Sequence, residues 1–153
     1  MPHPPMFDRA AQDRFFAPFA QAIGEFVRRR NLSIEKYRHG DPCWRFMFGH
    51  PMDEFATGTI SLCRTPEDAL SLSTGVWIDD LDACIRRVRF GPRQQPVPMD
   101  APAVVAALNA ALDEVLAWPL DERFVSHPSP EWAKSPKWER VAGFAKYSLP
   151  TSG

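Results

Sequence analysis

Near residue 31 the hydrophobic period of the chain changes, and this limits the fold more than any other feature. In FFAPFAQAIGEFVRRRN, residues 15–31, Phe16, Phe19, Ala20, Ile23, Phe26 and Val27 recur three and four apart. That spacing gathers side chains on one face of a helix. Asp8 is suited to cap an upstream turn. Pro18 predicts a start or a kink there, because proline removes one helical hydrogen bond. Arg28, Arg29 and Arg30 favour the negative end of the helix dipole, and Asn31 is a fair stop.

From Leu32 the period becomes two. LSIEKYR, CWRFMFG, TGTISLCRT and LSLSTGVWI alternate, separated by the turn-forming HGDP, HPMDEFA and TPEDA. Trp44, Phe46 and Phe48 share one side of the second stretch, against Cys43, Arg45 and Met47. Leu70, Leu72, Val76 and Ile78 share one side of the fourth, against Ser71, Ser73 and Trp77. Strands with a single apolar face predict a four-stranded antiparallel meander that the first helix covers. Phe46, in mid-strand, is then expected among the most buried residues.

In DDLDACIRRVRFGP, Leu81, Cys84, Ile85 and Val88 fall at i, i+3, i+4 and i+7. Asp79 and Asp80 stand at the start, arginines crowd the end, and Gly91 and Pro92 follow. These signals predict a second helix with Cys84 buried, not a fifth strand. A third helix is expected from Asp100 and Pro102 to about Trp118, and SPKWERVAGFAKYSL predicts a short closing helix. The fold class is therefore α+β in two layers: an N-terminal helix, the meander, two helices packed on one face, and a proline- and tryptophan-rich C-terminal segment. By this reading residues 1–6 are a disordered tail, 7–118 the core domain, and 119–153 a segment docked on it.

Composition narrows function. The net charge is −1 and the sequence pI about 6.4, without the basic excess that phosphate-backbone binders carry. Nucleic acid is therefore not the favoured partner. No apolar run approaches the ~20 residues of a membrane span, and the N-terminus lacks the pattern of a secretory signal. Cys43, Cys63 and Cys84 are odd in number and form no CxxC pair, which argues against a disulfide framework or a zinc knuckle. Free cysteines are commonest in reducing compartments, so a cytoplasmic location is expected. There is no GxSxG, no GxGxxG or GKS/T loop, no HExxH and no DxDxDG. No cofactor and no metal are expected.

Three groups of residues bear on a site. His39, Asp41, Cys43 and His50 lie close in sequence, but a strand of about seven residues separates the histidines by roughly 20 Å, too far to share an ion. Arg28–Arg30 and Arg86–Arg93 would form a basic patch if the two helix ends met. The aromatic excess, five tryptophans and eleven phenylalanines, leaves rings for an interface, where aromatics and arginine are enriched. Trp77, Arg86, Arg87, Arg89 and Trp132 are the expected partner-binding residues. The order of elements resembles that of several small bacterial secretion-chaperone and immunity-type domains, a likeness of fold that no motif carries. The favoured reading is a non-catalytic protein-binding module of the adaptor, chaperone or toxin-inhibitor kind, bacterial, with a homodimer compatible. The alternatives are a small enzyme with a shallow polar site near His39 and Asp41 or near His127, and a nucleic-acid binder acting through the arginines.

Overall fold

The computed structural model describes residues 7–51, 55–80, 85–119 and 123–128. Helix α1 runs Arg9–Arg30, capped by Asp8, whose carboxylate accepts from the Ala11 amide at 3.2 Å. It continues through Pro18 and ends where Asn31 turns left-handed (φ 54°) and donates its amide to the Arg28 carbonyl. Strands β1 (Ser33–Lys36), β2 (Cys43–Gly49), β3 (Ala56–Arg64) and β4 (Leu70–Asp80) follow. Each pairs antiparallel with the next, as the period-two segments predict.

The chain then departs from expectation. Residues Ile85–Phe90 form strand β5, antiparallel to β4, and not a helix. The segment fits both periods, and the deciding term lies outside it. An eleven-residue β4 offers a free edge, where Asp79 faces Arg86 and Trp77 faces Val88. On the other side of β5 the Arg87 guanidinium lies 5.8 Å from the Phe124 ring centroid, and that of Arg89 lies 4.1 Å from that of Trp118. Arginines that would crowd a helix end set their guanidinium groups against aromatic rings instead. Strand β6 (Gln95–Val97) pairs with the start of β4, and helix α2 (Ala101–Leu116) follows, capped by Asp100. Strand β7 (Val125–Pro128) pairs with β5. Seven strands thus stand among the described residues where four were expected, in the order β1-β2-β3-β4-β5-β7 with β6 beside β4. One helix, rather than two, follows the meander there. Leu81, Cys84, residues 1–6 and the proposed closing helix lie outside the described residues. Of the 119–153 segment, Phe124 is buried and β7 belongs to the sheet.

Both helices contribute to one core on one face of the sheet. Phe16, Phe19, Ile23 and Phe26 of α1 and Val104, Leu108, Leu112 and Val115 of α2 meet Trp44, Phe46, Ile60, Leu62, Leu70, Leu72, Val76 and Ile78. Phe16 stacks on Trp44 at 4.8 Å, and Phe26 meets Phe46 edge-on at 5.9 Å. Gly58 leaves room for Phe48: a Cβ there would run into the Cε2 and Cζ of that ring. Among the described residues no helix is long and apolar enough to cross a membrane.

The cysteines give a second correction. Cys43 and Cys63 face each other across β2 and β3, and a disulfide joins them. Their pairing follows from strand register, which spacing in sequence does not reveal.

Tyr37 ties the β1–β2 turn to α1. Its hydroxyl donates to Asp13 Oδ1 at 2.8 Å, and burial, with the Asp13 charge beside it, pushes the phenol above its ordinary 10.0. The unfolded phenol ionises at a lower pH than the folded one, so this contribution to stability is full below about pH 10 and fades as pH rises through the folded value. Absorbance titration of tyrosinate should show a late component that Tyr37→Phe removes. A Tyr37 that ionised with the free amino acid would contradict the contact.

Candidate binding face

The strand alternation that feeds the core sends a second set of side chains to the opposite face, and the register arranges them in rows. Cys43, Cys63, Ser71 and Pro96 make one row. Arg45, Ser61 and Ser73 make the next, then Met47, Thr59, Gly75 and Phe90, then Thr57, Trp77, Val88 and Val125. Asp79 and Arg86 follow. Small hydroxyl residues occupy the centre and larger ones the margins.

That arrangement hollows the face. A hollow of about 230 Å³ lies over Thr59, Ser61 and Ser73, with Arg45, Trp77 and Phe90 at its sides. A second, of about 590 Å³, is lined by Ser71, Arg64, Glu67 and Arg93 among others. Both are bordered by Ser73 and Phe90, so they join into one groove along β4. Glycine makes the wall possible: the Phe90 ring lies over Gly75, where a Cβ would stand 3.2 Å from Cδ1. Phe90 remains 60% exposed and Val125 56%.

Arginines flank the rings. Arg86 donates through Nε to Asp79 Oδ1 at 2.7 Å and lies 5.8 Å from the Trp77 centroid. Asp79 is buried, so this pair satisfies a carboxylate that would otherwise be costly to desolvate. Arg93 lies 5.4 Å from the Phe90 centroid. Arg45 donates to Asp41 at 2.6 Å, Arg64 to Asp68 at 2.8 Å, and Arg38 sits 3.6 Å from Glu35.

Of the expected partner-binding residues, Trp77 and Arg86 stand together on this face. Arg87 and Arg89 stand on the helix side against Phe124 and Trp118, and Trp132 lies outside the described residues. The second arginine group stands on a strand and not at a helix end, with Arg86 on the open face and Arg87 and Arg89 on the helix side, while Arg30 pairs with α2, donating to Asn109 Oδ1 at 2.8 Å and Asp113 Oδ1 at 2.6 Å. His39 and His50 stand before and after β2. His39 is in a left-handed turn (φ 55°) with its Nε2 3.3 Å from Arg38 Nε, and Asp41 serves Arg45. His50 is buried and donates through Nε2 to the Val115 carbonyl at 2.8 Å. The side chain of His127 lies outside the described residues. Among the described residues, no three of His, Cys, Asp and Glu gather as a metal site would require.

Phe90 and the hydroxyl floor escaped the sequence reading, and Arg93, expected in a basic patch, stands beside the Phe90 ring. Polar alternation marked Ser61 and Ser73 as facing away from the core, but only the register sets them side by side. No protein family matches the chain, and no curated protein or solved structure is similar to it.

Proposed function

We propose that the chain is a non-catalytic protein-binding module, of the adaptor, chaperone or toxin-inhibitor kind, that receives its partner on the open face of the sheet. The observation that carries this reading is the groove along β4 flanked by two ring–guanidinium pairs, Trp77 with Arg86 and Phe90 with Arg93. Large rings beside arginine supply contact area at little entropic cost and are the residue types that dominate interface centres. The enzyme reading has less support. His39 and Asp41 make separate contacts, with Arg38 and Arg45, and no hydrogen bond joins them as base and orienter. The nucleic-acid reading has less support, because the alternation of β5 divides Arg86 from Arg87 and Arg89 between the two faces. A cytoplasmic setting rested on free cysteines, and a closed Cys43–Cys63 bond is what an oxidising compartment sustains.

Ser73→Trp puts a large neutral ring on the groove floor without touching the core. Proteins of the native host that the immobilised wild-type chain retains should be lost with Ser73→Trp and kept with Gln21→Trp on the exposed side of α1. Equal retention by both variants would refute the proposal.

A further inference from the structure

The chemistry of the groove narrows what can lie in it. The hydroxyls of Thr59, Ser61, Ser71 and Ser73 border it, and none makes a hydrogen bond among the described residues. Across the sheet Ser61 faces Ser73, and along β4 Ser71 and Ser73 stand two residues apart. Neighbouring strands are about 4.8 Å apart, and a two-residue step is about 6.7 Å. Donors and acceptors at this repeat suit the amide groups of an extended chain. From Ser71 to Trp77 the groove runs roughly 20 Å, the length of about six extended residues.

Charge adds the second element. The arginines at this groove differ in their partners. Arg38, Arg45 and Arg64 each hold a carboxylate of this chain, namely Glu35, Asp41 and Asp68. Arg93 makes no ion pair among the described residues, and its contact there is the stacking over Phe90. Glu67 borders the same hollow from the β3–β4 turn and restricts where a second negative charge can sit. Phe90, Trp77 and Val125 offer apolar contact on the other side.

Resting on the reading that this face receives a protein, we propose that the occupant is an extended acidic segment of the partner. Its carboxylate side chain is held by Arg93, its backbone amides lie over the serine and threonine hydroxyls, and its apolar side chains lie against Phe90. A guanidinium already stacked on a ring takes a carboxylate in two parallel hydrogen bonds and loses little freedom in doing so. An amide bonded to Ser61 or Ser73 exchanges one hydrogen bond with water for one with protein, so that contact orients the chain more than it tightens it.

The test uses a fluorescein-labelled, end-blocked octapeptide of alternating glutamate and leucine, followed by anisotropy on the full chain. Its lysine–leucine counterpart, inorganic phosphate and free glutamate serve as comparison ligands. The acidic peptide should bind and the basic one should not, and binding should weaken as salt screens the charges. Arg93→Ala should weaken it about tenfold or more, Arg93→Lys less, and Phe90→Ala severalfold. Both residues are exposed, so unchanged melting temperatures will show that the variants are folded. Equal binding of both peptides, no effect of Arg93→Ala, or displacement by phosphate or glutamate at the same concentration would overturn the acidic-segment proposal. If the peptide fails while Ser73→Trp still abolishes retention of host proteins, the face receives a protein of other chemistry. If Ser73→Trp changes nothing, the face itself is wrong.

Discussion

Phe46→Ala should destabilise the fold by about 3–5 kcal/mol, a large share of the 5–15 that a domain possesses. Phe46 is fully buried, faces Ile34 and Ile60 on the flanking strands, and receives Phe26 edge-on from α1. Truncation therefore removes a ring from the junction of helix and sheet, and two rigid layers close poorly around the void. Its neighbour Arg45 is on the other face, half-buried and paired with Asp41 across the turn. A pair of that exposure is worth about 0–1 kcal/mol, so Arg45→Ala should be mild. Urea denaturation of the two variants compares the faces directly. A mild Phe46→Ala with a severe Arg45→Ala would mean that the register of β2 is inverted, and the binding face would then be the core.

Opening the Cys43–Cys63 bond should cost about 3 kcal/mol. The two residues are 20 apart in sequence, and closing a loop of that size removes this much entropy from the unfolded chain. The native sheet should survive, because Arg64 still donates its amide to the Pro42 carbonyl and the rest of the β2–β3 ladder is unaffected. Intact mass without reductant should be lower by two hydrogens. The denaturation midpoint should then fall on adding a thiol reductant, and Cys43→Ser should reproduce the fall without it. A chain with no mass difference and no response to reductant carries these cysteines as thiols.

Much of the helical layer was legible in sequence, because α1 and α2 have both a period and caps: Asp8 and Asn31 for one, Asp100 with Pro102 for the other. Strands β1 to β4 were legible because each has one apolar face and the turns between them are written in Gly, Pro and Asp. Strand β5 was not. Leu81, Cys84, Ile85 and Val88 satisfy a helical spacing, while Ile85 and Val88 suit a strand, and the free edge of β4 decided between them. Strands β6 and β7 are three and four residues long and each contains a proline, too little to show a period. The disulfide and the groove shared one obstacle. Cys43 meets Cys63 and Ser61 meets Ser73 through cross-strand register, and no local pattern encodes which residues of two strands stand opposite. The chemistry of Trp77 and Arg86 suits an interface, and the register brings them together; that of Arg87 and Arg89 suits one equally, and the alternation of β5 separates them from that face.

The open face of the sheet, and not the helical side, is expected to meet the partner. Benzoylphenylalanine in place of Phe90 keeps an aromatic ring at the groove wall and makes it photoreactive. The same probe in place of Gln21 marks the helical side. On irradiation in the native host, the probe at residue 90 should yield a discrete cross-linked product that Ser73→Trp suppresses, and the probe at residue 21 should yield none. A product from residue 21 with none from residue 90 would contradict the account.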